Sequence, residues 1–189
     1  MSRVIVVPGA GPDAAATAAA AARHAARRGL PLEAVAAIRP PPDLERLAAR
    51  AGLPGHEIVR RLVAETRAGL EASTPGAETT VRIGAHPFVE IVRRAIETEA
   101  ALVVKAAEGA PSRLFASLDQ HLLRKCPCPV WLRRGEGGEG PRRVLAALDV
   151  APDAEEPGLE RCILGAAADL AEDGGELLLV HVWEAAGAG

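Results

Sequence analysis

Short apolar runs alternate with longer helix-like segments along the first 134 residues, and this alternation constrains the fold more than any other feature. Five runs have the short, β-branched or apolar content of strands; they span residues 4–7, 32–38, 79–83, 101–104 and 129–132. Four helical segments lie between them. Strands that alternate with helices predict right-handed β-α-β crossovers, and therefore a mostly parallel, doubly wound α/β sheet.

The ends of the helical segments are marked by residues that begin or break helices. Asp13 is a predicted N-cap for an alanine-rich helix that ends at Gly29. Asp43 is a second predicted N-cap, and the helix that follows it breaks at 52–55 before it continues. Pro87 suits the first position of the next helix. Behind it, one apolar stripe at helical spacing contains Phe88, Ile91, Val92, Ala95 and Ile96.

The opening of the chain is repeated after a glycine-rich segment. Residues 135–141 have the composition of a linker. Residues 2–13 align without a gap with residues 142–153, so that Val4 pairs with Val144. We therefore predict a first unit at 1–134, a linker at 135–141 and a partial second unit at 142–189. The second unit is expected to contain only a β-α-β start.

Composition and charge exclude several classes of function. Aromatic residues make up 2% of the chain, which leaves no stacking platform for single-stranded nucleic acid. The net charge is -3 and the basic residues occur as separated pairs, so we predict no nucleic-acid partner. The apolar run at 4–7 is too short for a signal peptide, and the alanine-rich segment at 14–26 is too polar for a membrane span. With three cysteines and no paired framework, a cytoplasmic location is predicted.

The end of the first unit resembles the universal stress protein family. Residues 116–130 read ASLDQHLLRKCPCPV, and their last four residues match the Pro-Cys-Pro-Val that ends the family's last helix and begins its last strand. The segment HLLRKCPCPVWL is similar to the corresponding segment of the tandem subgroup in particular. Residues 84–91 and 143–149 also resemble family segments in place and type. The resemblance implies a Rossmann-like fold with strand order 3-2-1-4-5, in which a bound nucleotide lies beyond the carboxyl ends of strands one and four.

The resemblance also implies where a nucleotide would bind, and here the sequence departs from the family pattern. Members that bind ATP carry Gly-x2-Gly-x9-Gly-Ser/Thr after strand four, a loop whose N–H groups cradle phosphates. In this chain Gly109 stands alone, Ser112 takes the place of the second glycine, and Ser117 follows an alanine after too short a spacer. We expect an incomplete cradle. The family's adenine-side aspartate is replaced by Gly9 in the first unit and matched by Asp149 in the second.

Other reactive residues favour structural roles. Cys126 and Cys128 are spaced C-x-C with interleaved prolines, unlike the C-x-x-C of redox and zinc sites, so a structural turn is favoured over a redox switch and no metal site is predicted. His86 begins a helix, and a capping or solvent role is favoured over a place in the cleft. Lys105 ends strand four and is either an anion contact or a solvated charge.

These observations favour a non-catalytic stress-response protein that acts by binding or assembly and needs no cofactor. An ATP-binding switch of the same fold is the alternative. An enzyme related to the ATP pyrophosphatases is disfavoured because neither an acid-base pair nor a complete phosphate loop is present. The family tendency to pair strand five across a two-fold axis implies a homodimer, in which the edge containing Val130, Trp131 and Leu132 pairs with its copy.

Overall fold

The chain is described from a computed structural model. It covers residues 2–9, 11, 13–108, 117–135, 143–149, 158–171 and 174–181. Two compact units are present, residues 1–138 and residues 139–189. Within the described ranges, no helix is both long enough and apolar enough to span a bilayer.

The first unit is a five-stranded parallel sheet with helices between the strands. Its elements are β1 (Val4–Val7), α1 (Asp13–Arg28), β2 (Leu32–Ile38), α2 (Leu44–Ala51), α3 (Gly55–Ser73), β3 (Glu78–Ile83), α4 (Pro87–Glu97), β4 (Leu102–Ala106), α5 (Leu118–Lys125) and β5 (Val130–Arg133). The strand order is β3-β2-β1-β4-β5, and every pair is parallel. The predicted α/β class and the predicted strand order are both confirmed.

The predicted break at 52–55 is confirmed, whereas both predicted N-caps are corrected. Gly52 adopts the left-handed conformation with φ of 63° and ends α2, while extended Pro54 precedes α3. Asp43 occupies the N-cap position, but its carboxylate pairs with Arg46 and does not cap the helix. Asp13 is the first residue of α1 itself, and its carboxylate accepts a hydrogen bond of 3.2 Å from the N–H of Gly135.

The core lies on both faces of β1, whose four residues are all buried. Side chains alternate along a strand, so Val4 and Val6 pack with alanines of α1 on one face, whereas Ile5 packs with Ile91 of α4 on the other. The alanines of α1 let that helix lie close to the sheet. Burial of β1 on both faces leaves only its ends accessible to a ligand.

A buried ion-pair cluster lies on the sheet beside this core. Glu33 in β2 is fully buried, and its carboxylate accepts hydrogen bonds from Arg3 at 3.0 Å and from Arg94 at 2.8 Å. The Arg3 guanidinium also pairs with Glu78 at 2.7 Å. Two guanidinium groups thus compensate the desolvation of one carboxylate and connect β1, β2, β3 and α4.

The second unit has a parallel β-α-β arrangement within its described residues. Strands β6 (Arg143–Ala147) and β7 (Glu176–Val180) pair in parallel, with α6 (Leu159–Ala171) between them in the chain. Register pairs Arg143 with Glu176, and their side chains form an exposed ion pair at 2.8 Å. Leu145 of β6 and Leu179 of β7 are more than half exposed.

Candidate functional site

A cleft opens at the carboxyl ends of the central strands of the first unit. It has a volume of about 850 Å³ and is lined by the ends of β1, β2 and β4, by one side of α3 and by the start of α1. β1 and β4 meet here with Val7 in register with Lys105. This is the point at which the strand order reverses, where open α/β sheets commonly bind ligands.

The floor of the cleft is apolar and closely packed. Val7, Val35 and Ile91 contribute side chains to it. Gly9 follows β1 with φ of 75°, a conformation that favours glycine, and a Cβ added there would meet the Cβ of Ala106 at 3.6 Å. Because Gly9 carries no side chain, this position supplies no carboxylate for an adenine.

Lys105 lies at the end of β4 and points into the cleft region as a buried cation. Its side chain is 6% exposed. The Nζ atom donates hydrogen bonds to Oδ1 of Asp119 at 2.7 Å and to the carbonyl of Ala106 at 2.8 Å, and it lies 3.8 Å from a carboxylate oxygen of Glu108. The interpretation of Lys105 as a solvated strand-end charge is therefore wrong.

Backbone N–H groups at the start of α5 are also hydrogen-bonded to the protein's own side chains. Ser117 is the N-cap, and its Oγ accepts a hydrogen bond from the N–H of Gln120 at 3.3 Å. The N–H of Leu118 donates to the carboxylate of Glu108 at 3.2 Å. In turn, the N–H of Glu108 donates to Oδ2 of Asp119 at 2.8 Å. The two carboxylates thus occupy one N–H donor of this helix end and one N–H donor of the segment after β4, both of which an anion here would use.

Of the four residues predicted for a nucleotide site, the structure describes two, Ser117 in the first unit and Asp149 in the second. Ser117 lies beside the cleft, where it caps α5. Gly109 and Ser112 lie outside the described residues. Asp149 belongs to the second unit, where it follows β6 and is exposed. No fourth strand accompanies it within the described part of that unit.

Sequence reasoning missed the two carboxylates that dominate the site. Asp119 carries a weak signal, because an acidic residue two positions after an N-cap suits a helix start. That signal explains a place near the helix terminus but does not identify Lys105 as the partner. Glu108 carries no signal, since its role depends on the fold that brings β4 and α5 together.

His86 does not line the cleft. It occupies the N-cap position of α4 without a side-chain hydrogen bond to the helix, and it is exposed. Its ring lies 6.1 Å from that of Phe88, measured between centroids. On the other side, His121 of α5 stacks on Phe88 at 4.2 Å. These contacts hold α4 against α5 at the surface, which fits the predicted solvent role better than a ligand contact.

Cys126 and Cys128 come into direct contact. Both are free and half-buried, and their Sγ atoms are 3.5 Å apart. Either sulfur can donate in this contact, but when Cys126 is a thiolate the S–H and the backbone N–H of Cys128 donate to it, and together they lower the pKa of Cys126 to about 7. The same S–H contact raises the pKa of Cys128. Across the described residues, no group of three or more His, Cys, Asp or Glu side chains is arranged to hold a metal ion.

Comparison with known proteins identifies the fold and the family. The model of the universal stress protein family matches residues 1–134. Universal stress protein E from Salmonella typhi is 35% identical over 91 residues, which are 47% of this chain and 28% of that protein. The chain spans about a quarter of the length of the curated relatives that it matches.

Two solved structures are similar to this chain. A functionally unknown protein from Pseudomonas aeruginosa superposes with a TM-score of 0.58 and 19% identity, over 95% of this chain and 60% of that one. A universal stress protein from Archaeoglobus fulgidus in complex with dAMP superposes with a TM-score of 0.45 and 20% identity, over 70% of this chain and 96% of that one. With the family model matching more than two thirds of its length, this chain belongs to the universal stress protein family.

Proposed function

We propose that this chain is a non-catalytic stress-response protein that acts by binding or assembly, and that its cleft does not hold ATP. One observation carries the proposal. The groups that would bind a phosphate are the Lys105 ammonium, the N–H of Glu108 after β4 and the N–H of Leu118 at the start of α5, and all three are already bonded to the carboxylates of Asp119 and Glu108. These carboxylates act as built-in anions.

The charges of the cleft oppose a triphosphate. Among the described lining residues, the charged side chains are Asp13, Lys105 and Glu108, and Lys105 is already paired with Asp119. A polyanion that entered would have to displace Asp119 from a buried lysine while it approached two further carboxylates. Both steps are unfavourable, because the buried lysine would lose its partner and like charges would be brought together.

The hydroxyl groups of the cleft are not arranged for catalysis. Thr66 and Ser73 are the lining residues with hydroxyls in the described part of the chain. The Thr66 hydroxyl donates to the carbonyl of Leu62 at 2.7 Å, and the Ser73 hydroxyl donates to the carbonyl of Leu70 at 3.1 Å. Each is thus held by its own helix, and neither is hydrogen-bonded to a general base.

Thermal unfolding with and without Mg-ATP tests this proposal. A ligand that binds only the native state must raise the melting temperature. We expect millimolar Mg-ATP to leave the melting temperature of the intact chain unchanged, and we expect no release of phosphate or pyrophosphate. A saturable upward shift would refute the proposal. Phosphate release above the buffer rate would refute its non-catalytic part.

A nucleotide-binding switch is the second candidate, and the cleft volume is the observation that favours it. At about 850 Å³ the cleft has the size of a small-molecule site, and it lies at the switch point of the sheet. On this alternative, the nucleotide would replace Asp119 as the partner of Lys105. The saturable shift with Mg-ATP described above is the result that would select it.

Assembly is proposed to use the free edge of β5. In the described sheet β5 pairs with β4 alone. The carbonyl of Pro129 accepts from Val103 of β4 and that of Arg133 from Ala107 just after β4, so by the alternation of parallel strands the backbone groups of Val130 and Leu132 face outward. We propose that two chains pair these edges as an isologous homodimer. The side chain of Trp131 packs against the core and the ring of His24, so it is not the residue to mutate.

Sedimentation of the intact chain tests the dimer. Leu132→Pro removes one outward-facing N–H and should shift the chain from dimer to monomer, because edge strands tolerate proline while a paired edge does not. Its melting temperature serves as the control for folding. A wild-type chain that sediments as a monomer at micromolar concentration would contradict the proposal.

The second unit is proposed to be the start of another universal stress protein unit. The support is the repeat of residues 2–13 at 142–153 together with a parallel β-α-β arrangement like the start of the first unit. In the first unit, the strand equivalent to β6 is covered on both sides by β2 and β4. Leu145 of β6 and Leu179 of β7 are more than half exposed, which is consistent with strands that belong to a larger unit.

A further inference from the structure

The turn between α5 and β5 holds two thiols at a fixed separation. At its first residue, the N–H of Cys126 donates to the carbonyl of Leu122 in α5 at 2.9 Å. At its far end, the carbonyl of Pro129 accepts from the N–H of Val103 in β4 at 3.0 Å. Pro127 and Pro129 restrict the backbone between these anchors. The turn is therefore stiff, and the contact between the sulfur atoms is a built feature of it.

The distance between the two sulfur atoms suits bond formation. Their separation is 3.5 Å, and a disulfide bond is about 2.0 Å long, so closure requires a shift of roughly 1.5 Å shared between two side chains. Both thiols are half-buried against the core face that contains Ile5 and Leu122, and both keep access to solvent. A turn that needed cysteine only for packing would not require this contact.

The two thiols also differ in character. Cys126 accepts from the S–H and the N–H of Cys128, which lower its pKa to about 7. At neutral pH Cys126 is therefore ionised to a larger fraction than an ordinary thiol. Because Cys128 donates its proton to that sulfur, the pKa of Cys128 is raised and it stays protonated. Cys126 is thus the nucleophile, and Cys128 is the protonated thiol beside it.

We propose that Cys126 and Cys128 form a peroxide-reactive dithiol that closes to an intramolecular disulfide. The Cys126 thiolate attacks one oxygen of a hydroperoxide, so that an S–O bond forms, the O–O bond breaks and the departing alkoxide takes a proton from water to leave as an alcohol. Cys126 is then a sulfenic acid. The sulfur of Cys128 attacks it, the S–S bond forms, the S–O bond breaks and hydroxide leaves with the Cys128 proton as water.

Together, the two steps convert two thiols and one hydroperoxide into one disulfide, one alcohol and one water. The protein is oxidised by two electrons and the peroxide is reduced. A disulfide between positions i and i+2 closes a small, strained ring, so a cellular dithiol restores the reduced form readily. The structural turn predicted from the prolines is retained in this mechanism, because the turn is what holds the sulfur atoms together.

Peroxide treatment of the intact chain tests the site. Cys162 is exposed, and a Cys162→Ser background removes its thiol from the measurement. With hydrogen peroxide at neutral pH we expect both remaining thiols to disappear together, the chain to become lighter by two hydrogens, and dithiothreitol to reverse the change. Thiols that persist, or disulfides that join separate chains only, would overturn the proposal.

A matched pair of single variants tests the order of attack in the same background. In Cys128→Ser, Cys126 should stop at the sulfenic acid, which dimedone traps. In Cys126→Ser, the remaining thiol should lack an activated partner. Because the backbone N–H of residue 128 still donates to Cys126 in the first variant, Cys126 should react faster there than Cys128 reacts in the second. Equal rates in the two variants would refute the assignment.

Discussion

Replacing Asp119 with asparagine isolates the interaction that closes the cleft to anions. The carboxylate lies 2.7 Å from the Lys105 ammonium and 2.8 Å from the N–H of Glu108, and both ion-pair side chains are largely buried. Asparagine has the same shape but no charge. The amide nitrogen of asparagine must face one of these two donors, and that donor loses its acceptor. The other donor bonds to the neutral amide oxygen.

The size of the effect follows from these two contacts. Loss of the charge reduces a charge-assisted hydrogen bond to about half its strength, which costs about 1 kcal/mol. A buried donor left without a partner costs about 1 to 3 kcal/mol more. The total is about 2 to 4 kcal/mol, which for a unit of this size lowers the melting temperature by roughly 10 °C.

Circular dichroism of the intact chain measures this change. Asp43→Asn is the matched control, because Asp43 also begins a helix but pairs with Arg46 at an exposed site, where an ion pair contributes little. Asp119→Asn also frees Lys105, so pyrophosphate should raise the melting temperature of this variant and not that of the wild type. A melting temperature within about 1 °C of the wild type would refute the reasoning on the buried pair.

Three further predictions concern the scaffold and the thiols. Glu33→Leu should lower the free energy of unfolding in urea by about 3 kcal/mol, because it leaves Arg3 and Arg94 without their buried partner, whereas an unchanged midpoint would mean that the cluster is not structural. Residues 1–138 expressed alone should melt cooperatively as a folded α/β unit, and a molten product would contradict this. Alkylation of Cys126 by iodoacetamide should rise with pH around a midpoint near 7, since a lowered pKa populates the thiolate at lower pH; a midpoint near that of an ordinary thiol would contradict the assigned contact.

The scaffold could be predicted from the sequence because its signals are local. The apolar run of β1 and the stripe of α4 behind Pro87 both report burial through side-chain spacing alone. Corrections occurred where side-chain contacts decide the outcome. Asp43 occupies the N-cap position of α2, but its carboxylate pairs with Arg46 instead of capping the helix, which the place of an aspartate before a helix does not reveal.

The site could not be predicted to the same degree, because its contacts join residues that are distant along the chain. Lys105 and Asp119 are 14 positions apart and meet only when β4 and α5 are placed by the sheet. The thiols of Cys126 and Cys128 are near neighbours, but their contact depends on side-chain rotamers that sequence spacing does not fix. Gly109 and Ser112 remain predicted positions, since they lie outside the described residues.

Equilibrium dialysis of the intact chain against labelled ATP and magnesium tests the central claim most directly. If Asp119 and Glu108 occupy the anion positions of the cleft, the label will distribute equally across the membrane up to millimolar concentration. Saturable retention of one ATP per chain would contradict the claim and would show that the cleft of this universal stress protein is a nucleotide site.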